Sequence, residues 1–415
     1  MKKIKEMKQT QPLKIGYVGN LEYSDICEFY NKLNSDKSHY ESNDDICTPM
    51  ECVQTMVNYI PEELWHRNGL KIIDVCCGNG NFGVGCMSKT KLSNIWFNEL
   101  SSVRYEYCKT LLQPEHITNG DALKIDSFGE WDLSIANPPY SGGGNKNQSL
   151  SNKFIEHSIK LVKNGGYVCF VAPNNWMTYN NNNTTLKKLL SEGSFIVIDN
   201  TAKKYFPGVG SSFTIFVWVK GIFGIETTVY NNYVINDIQK VVIPKDIPFV
   251  PLYLSNETIS IVEKCIDTEK ENGRFHYRCD LHNFTQKEKL SDTQNGTFKY
   301  ETIHTARKTR YATFKQDIYD KWIDVIPLST YYIPTTHNKV NVTQSVGYVA
   351  FDTEKEAVDY LSVLNKGVFK SLIHITRYGN FNNIMVLKHI KFDSQISLTK
   401  NENDVVEKLI KSIKY

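Results

Sequence analysis

The chain has 415 residues, 41% of them hydrophobic and 22% charged, with a formal net charge of +3. That length allows two or three domains with real cores, and the composition excludes a disordered or fibrous chain. The small net charge excludes a globally basic nucleic-acid binder, so any such surface must be local.

The basic Met1–Lys8 start leads into no apolar stretch, and no run of about eighteen apolar residues follows. Neither a secretory leader nor a membrane span is expected, which leaves a cytoplasmic protein. None of the 10 cysteines forms a Cys-x-x-Cys pair. Free thiols are expected, with no metal site.

Residues 1–45 are polar and lysine-rich. Glu22–Leu33 has helical spacing, with Ile26, Phe29, Tyr30 and Leu33 on one side. This reads as an N-terminal extension carrying one docked helix. Thr48 as N-cap and Pro49 at the first helical position then start a helix with Val53, Met56, Val57 and Ile60, ending near Pro61.

Leu70–Val75 is an apolar run of strand length, followed by Cys76-Cys77-Gly78-Asn79-Gly80. Strand, glycine-rich turn and helix is the nucleotide-binding arrangement of doubly wound sheets, although a tight turn alone would look similar. No Gly-Lys-Ser/Thr follows, so the turn is not a phosphate P-loop. Asn94–Glu99 is a second strand ending in an acid, a position able to hold ribose hydroxyls. After a helix over Val103–Leu112, Ile117–Ala122 gives a third strand ending at Asp121. Asp132–Ala136 is a fourth, stopped by Asn137-Pro138-Pro139-Tyr140. Proline has no N–H, so this double proline cannot continue a central strand. A polar amide and backbone carbonyls are left at a strand end beside a flat ring, which suits a planar amine.

Ser141–Asn152 is rich in Gly, Ser and Asn and reads as a loop, either a cover for a substrate or a linker. A helix around Phe154, Ile155, Ile159 and Val162 is expected to be capped by Gly165-Gly166. Tyr167–Ala172, Phe195–Asp199 and Ser212–Lys220 read as further strands, with a helix over Leu186–Leu190 between the first two. The fold class expected is α/β: a doubly wound, mostly parallel seven-stranded sheet. Ligands bind such sheets outside the carboxyl ends of the strands. The glycine turn, Glu99, Asp121 and Asn137 all lie there.

Beyond about residue 225 prolines interrupt short β-like runs and few helices are expected, Glu354–Leu364 being the clearest. Lys287, Lys289, Lys299, Arg307, Lys308, Arg310 and Lys315 interleave with Phe298, Tyr300, Tyr311 and Phe314. A solvated face would look like this, and so would a surface for phosphate contacts and base stacking. The expected organisation is an extension (1–45), a catalytic domain (46–225) and a mixed α+β domain (226–415).

In order and spacing, Asp74-x-x-x-Gly78-x-Gly80, Glu99, Asp121 and Asn137-Pro138-Pro139-Tyr140 resemble the class I S-adenosylmethionine-dependent methyltransferases. Among these the chain resembles the amino-methyltransferases of adenine N6 in DNA, in the branch whose target-recognition domain is C-terminal. The likeness covers roughly residues 46–221. Further on, Val346-Gly347-Tyr348 before the Glu354–Leu364 helix, and Asn380–Asn383, match only in general pattern.

The resemblance implies a Rossmann-like methyltransferase using S-adenosyl-L-methionine. Thr48 and Pro49 would line its methionine end. Asp74, Cys77, Gly78 and Gly80 would hold its amino-acid portion, Glu99 its ribose and Asp121 its adenine. Asp121 is followed by Ala122 where the family often has Phe, so apolar packing on the adenine must come from elsewhere, with Leu100 a candidate. Asn137, Pro138, Pro139 and Tyr140 would be catalytic, Tyr140 stacking on a flipped base with Phe206 as the second wall of its pocket. Double-stranded DNA is the implied partner, a separately encoded restriction endonuclease a candidate one, and a monomer is expected. An RNA base or a protein glutamine would suit the same motif, and a non-catalytic DNA-binding protein of this fold is a further alternative. No acid pair with a lysine at nuclease spacing stands out, and no Pro-Cys pair suggests cytosine-C5 chemistry.

Overall fold

The computed structural model describes residues 16–35, 47–140, 150–179, 183–207, 212–232, 235–329, 332–379 and 381–413. The chain divides into two compact units, each treated by itself below. The first comprises Met1–Ala172, Lys204–Pro207 and Ile215–Ile222, and the second Pro173–Lys203, Gly208–Thr214 and Phe223–Tyr415. This division departs from a boundary at 225, because residues 173–203 and 208–214 group with the second unit.

The first unit begins with α1 (Tyr23–Ser35), α2 (Met50–Tyr59) and α3 (Glu62–Trp65). Strands and helices then alternate: β1 (Ile72–Asp74), α4 (Asn81–Met87), β2 (Ile95–Glu99), α5 (Ser102–Leu112), β3 (His116–Asn119), β4 (Trp131–Ala136), α6 (Leu150–Leu161) and β5 (Val162–Pro173). α7 (Thr184–Glu192) and β6 (Gly193–Asp199) belong to the second unit, and most of β7 (Phe213–Lys220) to the first. The strand order in the first unit is β3-β2-β1-β4-β5-β7.

β1 pairs in parallel with β2 and β4, β2 with β3, and β4 with β5. Asp74 stands opposite Phe97 on one side and Ile135 on the other. This shared register brings the carboxyl ends of β1, β2 and β4 to one edge. Every residue of β1 and β4 is buried, as expected for strands covered on both faces. The α/β class and the mostly parallel sheet are as expected. Of the seven strands read from the sequence, β6 alone lies wholly in the second unit.

Two local expectations are corrected. Pro49, at φ −56° and ψ 143°, is the N-cap of α2 and makes no side-chain cap bond, so Thr48 stands one residue before it. Its hydroxyl is used elsewhere. Gly165-Gly166 does not cap α6, which already ends at Leu161; the pair lies within β5, where the register against β4 shifts. Gly165 has φ +74°, and a Cβ on Gly166 would meet the carbonyls of Lys163 and Trp131 at 2.8 Å. The pair is needed for an irregularity in a strand.

In the second unit β6 pairs in parallel with β8 (Thr227–Asn231), which pairs antiparallel with β9 (Asp237–Val241). α8 (Asn256–Cys265) follows. Then come β10 (His276–Tyr277), β11 (Leu290–Ser291), β12 (Tyr300–Thr305), β13 (Lys308–Ala312), β14 (Trp322–Pro327), β15 (Thr335–Asn338), β16 (Asn341–Val342) and β17 (Val346–Phe351). They form two four-stranded sheets, β10-β17-β14-β15 and β11-β13-β12-β16. A core including Ile323, Val325, Val342 and Val346 packs beside them. α9 (Glu354–Leu364), α10 (Gly367–Ile375), α11 (Ile384–His389) and α12 (Lys400–Ser412) complete a mixed α+β body. This is more helix than expected. α8 carries many β-branched residues, and α12 is mostly polar outside its Val406 and Leu409 face. Each starts from a capping box, Ser255/Thr258 and Thr399/Glu402.

Three residues of the interleaved basic run are ion-paired. Lys308 and Arg310 both bind Asp292, and Lys315 binds Asp320. Lys287, Lys299 and Arg307 are exposed. No helix among the described residues is long and apolar enough to cross a membrane.

α8 and α12 are joined by a charged contact. Glu402, whose side chain is 4% exposed, accepts from Lys264 Nζ at 2.6 Å, Ser260 Oγ at 2.7 Å and Thr399 N at 2.6 Å. Burial opposes its ionisation, yet Lys264 and the other donors outweigh burial and bring the carboxyl down to about 2. The folded value lies below the ordinary 4.5. The contribution is therefore complete above that pH and is lost as pH falls towards 2. Glu402→Ala is expected to destabilise the second unit by about 2 kcal/mol, because Lys264 is only partly buried and stays solvated. Thermal unfolding at pH 7 should show a fall of roughly 5 °C, and the difference from wild type should shrink below pH 4; an equal difference at pH 7 and pH 3 would contradict this account.

Candidate active site at the carboxyl ends of the strands

A cavity of about 800 Å³ opens in the first unit at the shared edge. The turn after β1, Glu99 at the end of β2, Asp121 just after β3, and Asn137–Tyr140 all line it. Parallel pairing brings these four stretches together although they are spread over sixty residues of sequence, from about 76 to about 140.

The turn is shaped by glycine. Gly80, the N-cap of α4, has φ +94°, and a Cβ there would come within 2.6 Å of Leu112 on α5. Gly80 therefore serves the packing of α4 on α5 and does not line the cavity, whereas Cys77 and Gly78 do. Gly78 N donates to Glu99 Oε2 at 2.7 Å and Ser101 N to Oε1 at 2.9 Å. Glu99 is thus fixed at the cavity wall by two backbone donors. Asn98, which the sequence did not single out, joins three strand ends: its Nδ2 donates to Val75 O at 3.2 Å and Gly120 O at 3.0 Å.

Asp121 Oδ1 accepts from Leu123 N at 3.0 Å and starts a short 3-10 turn over Ala122–Lys124. Ala122 lines the cavity. Leu100, 70% exposed, lines it as well, together with Leu123 and, from α6, Phe154. Phe154 read from sequence only as part of a helical stripe.

Asp74 is fully buried below this edge and does not line the cavity. Its Oδ1 accepts from Cys76 N at 3.3 Å, and Oδ2 has no partner among the described residues. Burial pushes the carboxyl well above its ordinary value, and the Glu99 charge adds to this against the Cys76 bond. Burial likewise raises the Cys76 and Cys77 thiols well above their ordinary value, so neither is a ready nucleophile. Pro49 is not at the cavity wall. Phe206 is 2% exposed and does not line the cavity, which corrects its expected place as an open pocket wall. It lies in core packing beside Tyr205, whose hydroxyl is 2.8 Å from that of Thr55.

Asn137 is held on both sides. Its Nδ2 donates to Thr48 Oγ1 at 3.0 Å, and its Oδ1 accepts from the Tyr140 hydroxyl at 2.7 Å. Burial pushes the Tyr140 hydroxyl up, so it stays a neutral donor. The Asn137 main-chain carbonyl accepts from the Cys76 thiol at 3.5 Å. The Pro138 carbonyl takes no hydrogen bond from any described residue. A carbonyl oxygen has two lone pairs, so Asn137 Oδ1 keeps one beside the Tyr140 bond. The site thus offers two neutral acceptors, Asn137 Oδ1 and Pro138 O, next to an aromatic ring. Residues 141–149 and 208–211 lie outside the described residues, as does Asn380 of the Asn380–Asn383 segment.

Residues 84–206 match the Eco57I restriction-modification methylase family. Two type II methyltransferases of Haemophilus influenzae, M.HincII and M.HindII, are each 26% identical to the chain over 196 residues. Each match covers 42% of this chain but only 36% and 35% of the relatives, so the chain spans about a third of their length. Among solved structures, the cryo-EM DrdV–DNA complex shares the fold with a TM-score of 0.56, over 90% of this chain and 59% of that chain, at 10% identity. These likenesses are to restriction-modification methylases and type II methyltransferases over part of the chain, and to the fold of the DrdV complex over most of it.

Proposed function

We propose that the chain is a site-specific DNA methyltransferase that moves a methyl group from S-adenosyl-L-methionine to the exocyclic N6 of an adenine flipped out of duplex DNA. The observation that carries this reading is the Asn137 amide, clamped at a strand end with its oxygen beside Tyr140 and next to a cavity walled by Glu99 and Asp121. A cavity with two carboxylates, a close-approach glycine turn and an apolar wall of Leu100 and Phe154 fits a nucleoside with a polar tail. S-adenosyl-L-methionine, when bound, supplies a methyl group made electrophilic by its sulfonium.

Glu99 would accept from the ribose hydroxyls, and Asp121 would accept from the adenine amine of the cofactor. Thr48 and the Cys77–Gly78 backbone border the other end. The target amine is a poor nucleophile because its lone pair is delocalised into the ring. Asn137 Oδ1 and Pro138 O accept its two hydrogens. Their placement favours a tetrahedral over a planar nitrogen, so they stabilise the transition state more than the ground state. The proton leaves to solvent, and no ionised base is required. An adenine within a duplex cannot reach Asn137, so it must be flipped, at a cost of a few kcal/mol. Tyr140 stacks on it. Residues 226–415 are the proposed target-recognition region, with the exposed Lys287 and Lys299 placed to meet phosphates.

Modification-sensitive sequencing of DNA from cells expressing the chain tests the proposal. One short recurring motif carrying N6-methyladenine is the expected result. Unmodified DNA together with methylated RNA or protein would reject DNA as the substrate, and methylcytosine would reject the target base.

A further inference from the structure

We propose that Arg104 binds the carboxylate of the cofactor's amino-acid tail. The inference rests on the methyltransferase reading above and adds to it a residue outside the motifs.

The cavity is unevenly charged. Its described lining includes two acids, Glu99 and Asp121, and a single cation, Arg104. S-adenosyl-L-methionine carries a sulfonium and an ammonium, which acids attract, and also a carboxylate, which they repel. The carboxylate needs a countercharge, and among the described lining residues only Arg104 supplies one. A guanidinium also presents paired donors that match a carboxylate.

Arg104 lies where the tail is proposed to lie. A Cβ on Gly78 would come within 3.4 Å of Arg104 Nη1, so the guanidinium rests against the turn. Its charge is felt along that turn: burial, Asp74 and Glu99 push the Cys76 thiol up, and Arg104 acts against them. The fold also places this side chain against two general preferences. Arg104 is 8% exposed, whereas cations are costly to bury. Its N donates to the cap residue Ser101 at 3.4 Å, which sets it in the first turn of α5, whereas the helix dipole favours cations in the last turn. Departures of this kind gather at functional sites.

The test is calorimetric binding of two ligands to the full chain: S-adenosyl-L-methionine, and its decarboxylated form, which lacks only the carboxylate. The wild type is expected to prefer the first about 10- to 100-fold, the worth of a charge-assisted contact. Arg104→Gln should bring the preference down to about threefold or less, because affinity for the first falls while that for the second holds. Arg104→Lys keeps the charge without the fork and should give an intermediate preference. A residue that only supports the cavity wall would lower both affinities alike and leave the preference unchanged; that result overturns the proposal. A Lys variant with the wild-type preference overturns it too, which keeps the test decisive should Arg104→Gln fail to fold. Wild-type protein that binds S-adenosyl-L-methionine without any preference rejects the role of Arg104 alone. Wild-type protein that binds neither ligand rejects the functional reading, and the proposal falls with it.

Discussion

Asn137→Ala should lower methyl transfer about a thousandfold while cofactor affinity changes by less than about twofold. The variant removes an acceptor that is fixed before the substrate arrives, and fixed polar groups aimed at a reacting atom are worth about two to three orders of magnitude each. Pro138 O alone cannot hold both amine hydrogens. Cofactor binding survives because the Asn137 side chain leans on Thr48 and Tyr140, whereas the acids proposed for the nucleoside, Glu99 and Asp121, are held by other donors. Transfer of a radiolabelled methyl group, measured beside calorimetric affinity, separates the two effects. A variant that kept most of its rate would show that the amide oxygen is not the acceptor.

Glu99→Ala should do the opposite. Its expected effect is a loss of roughly 100-fold in S-adenosyl-L-methionine affinity, with the rate at saturating cofactor much less changed. The carboxylate is proposed to accept charge-assisted bonds from the ribose, worth about 1.5–3 kcal/mol each before reorganisation. It also accepts from Gly78 N and Ser101 N, so its removal leaves two backbone donors at the cavity wall without their acceptor. The turn that must approach the ligand closely would loosen with it. Affinity within about threefold of wild type would remove Glu99 from the proposed ribose contact.

Much of the site was legible in the sequence because its parts are local. A glycine turn after an apolar strand, an acid at the end of each of the next two strands, and an amide stopped by two prolines are patterns of a few residues. Such patterns carry their physics with them: proline ends a strand whatever surrounds it. Parallel alternation then predicts that all of them meet on one edge, and they do. Roles that depend on packing were less legible. Phe206 and Gly80 lie close to functional motifs in sequence but are turned into the core, Phe206 at 2% exposure and Gly80 against Leu112. Phe154 and Leu123 border the cavity from a helix and a turn whose sequences advertise only core or loop.

By itself the sequence determined the α/β alternation, the edge at which the candidate site residues meet and the functional groups there, because strand period, turn residues and side-chain functional groups are properties of short segments. The tertiary structure alone decided which atoms meet. It placed the Thr48 hydroxyl on the Asn137 amide, the Asn98 side chain across three strand ends, the Glu402 carboxylate on Lys264 and two residue blocks before 225 with the later unit. These are contacts between segments far apart in the chain, and no local pattern encodes the register that brings two distant side chains within 3 Å of each other.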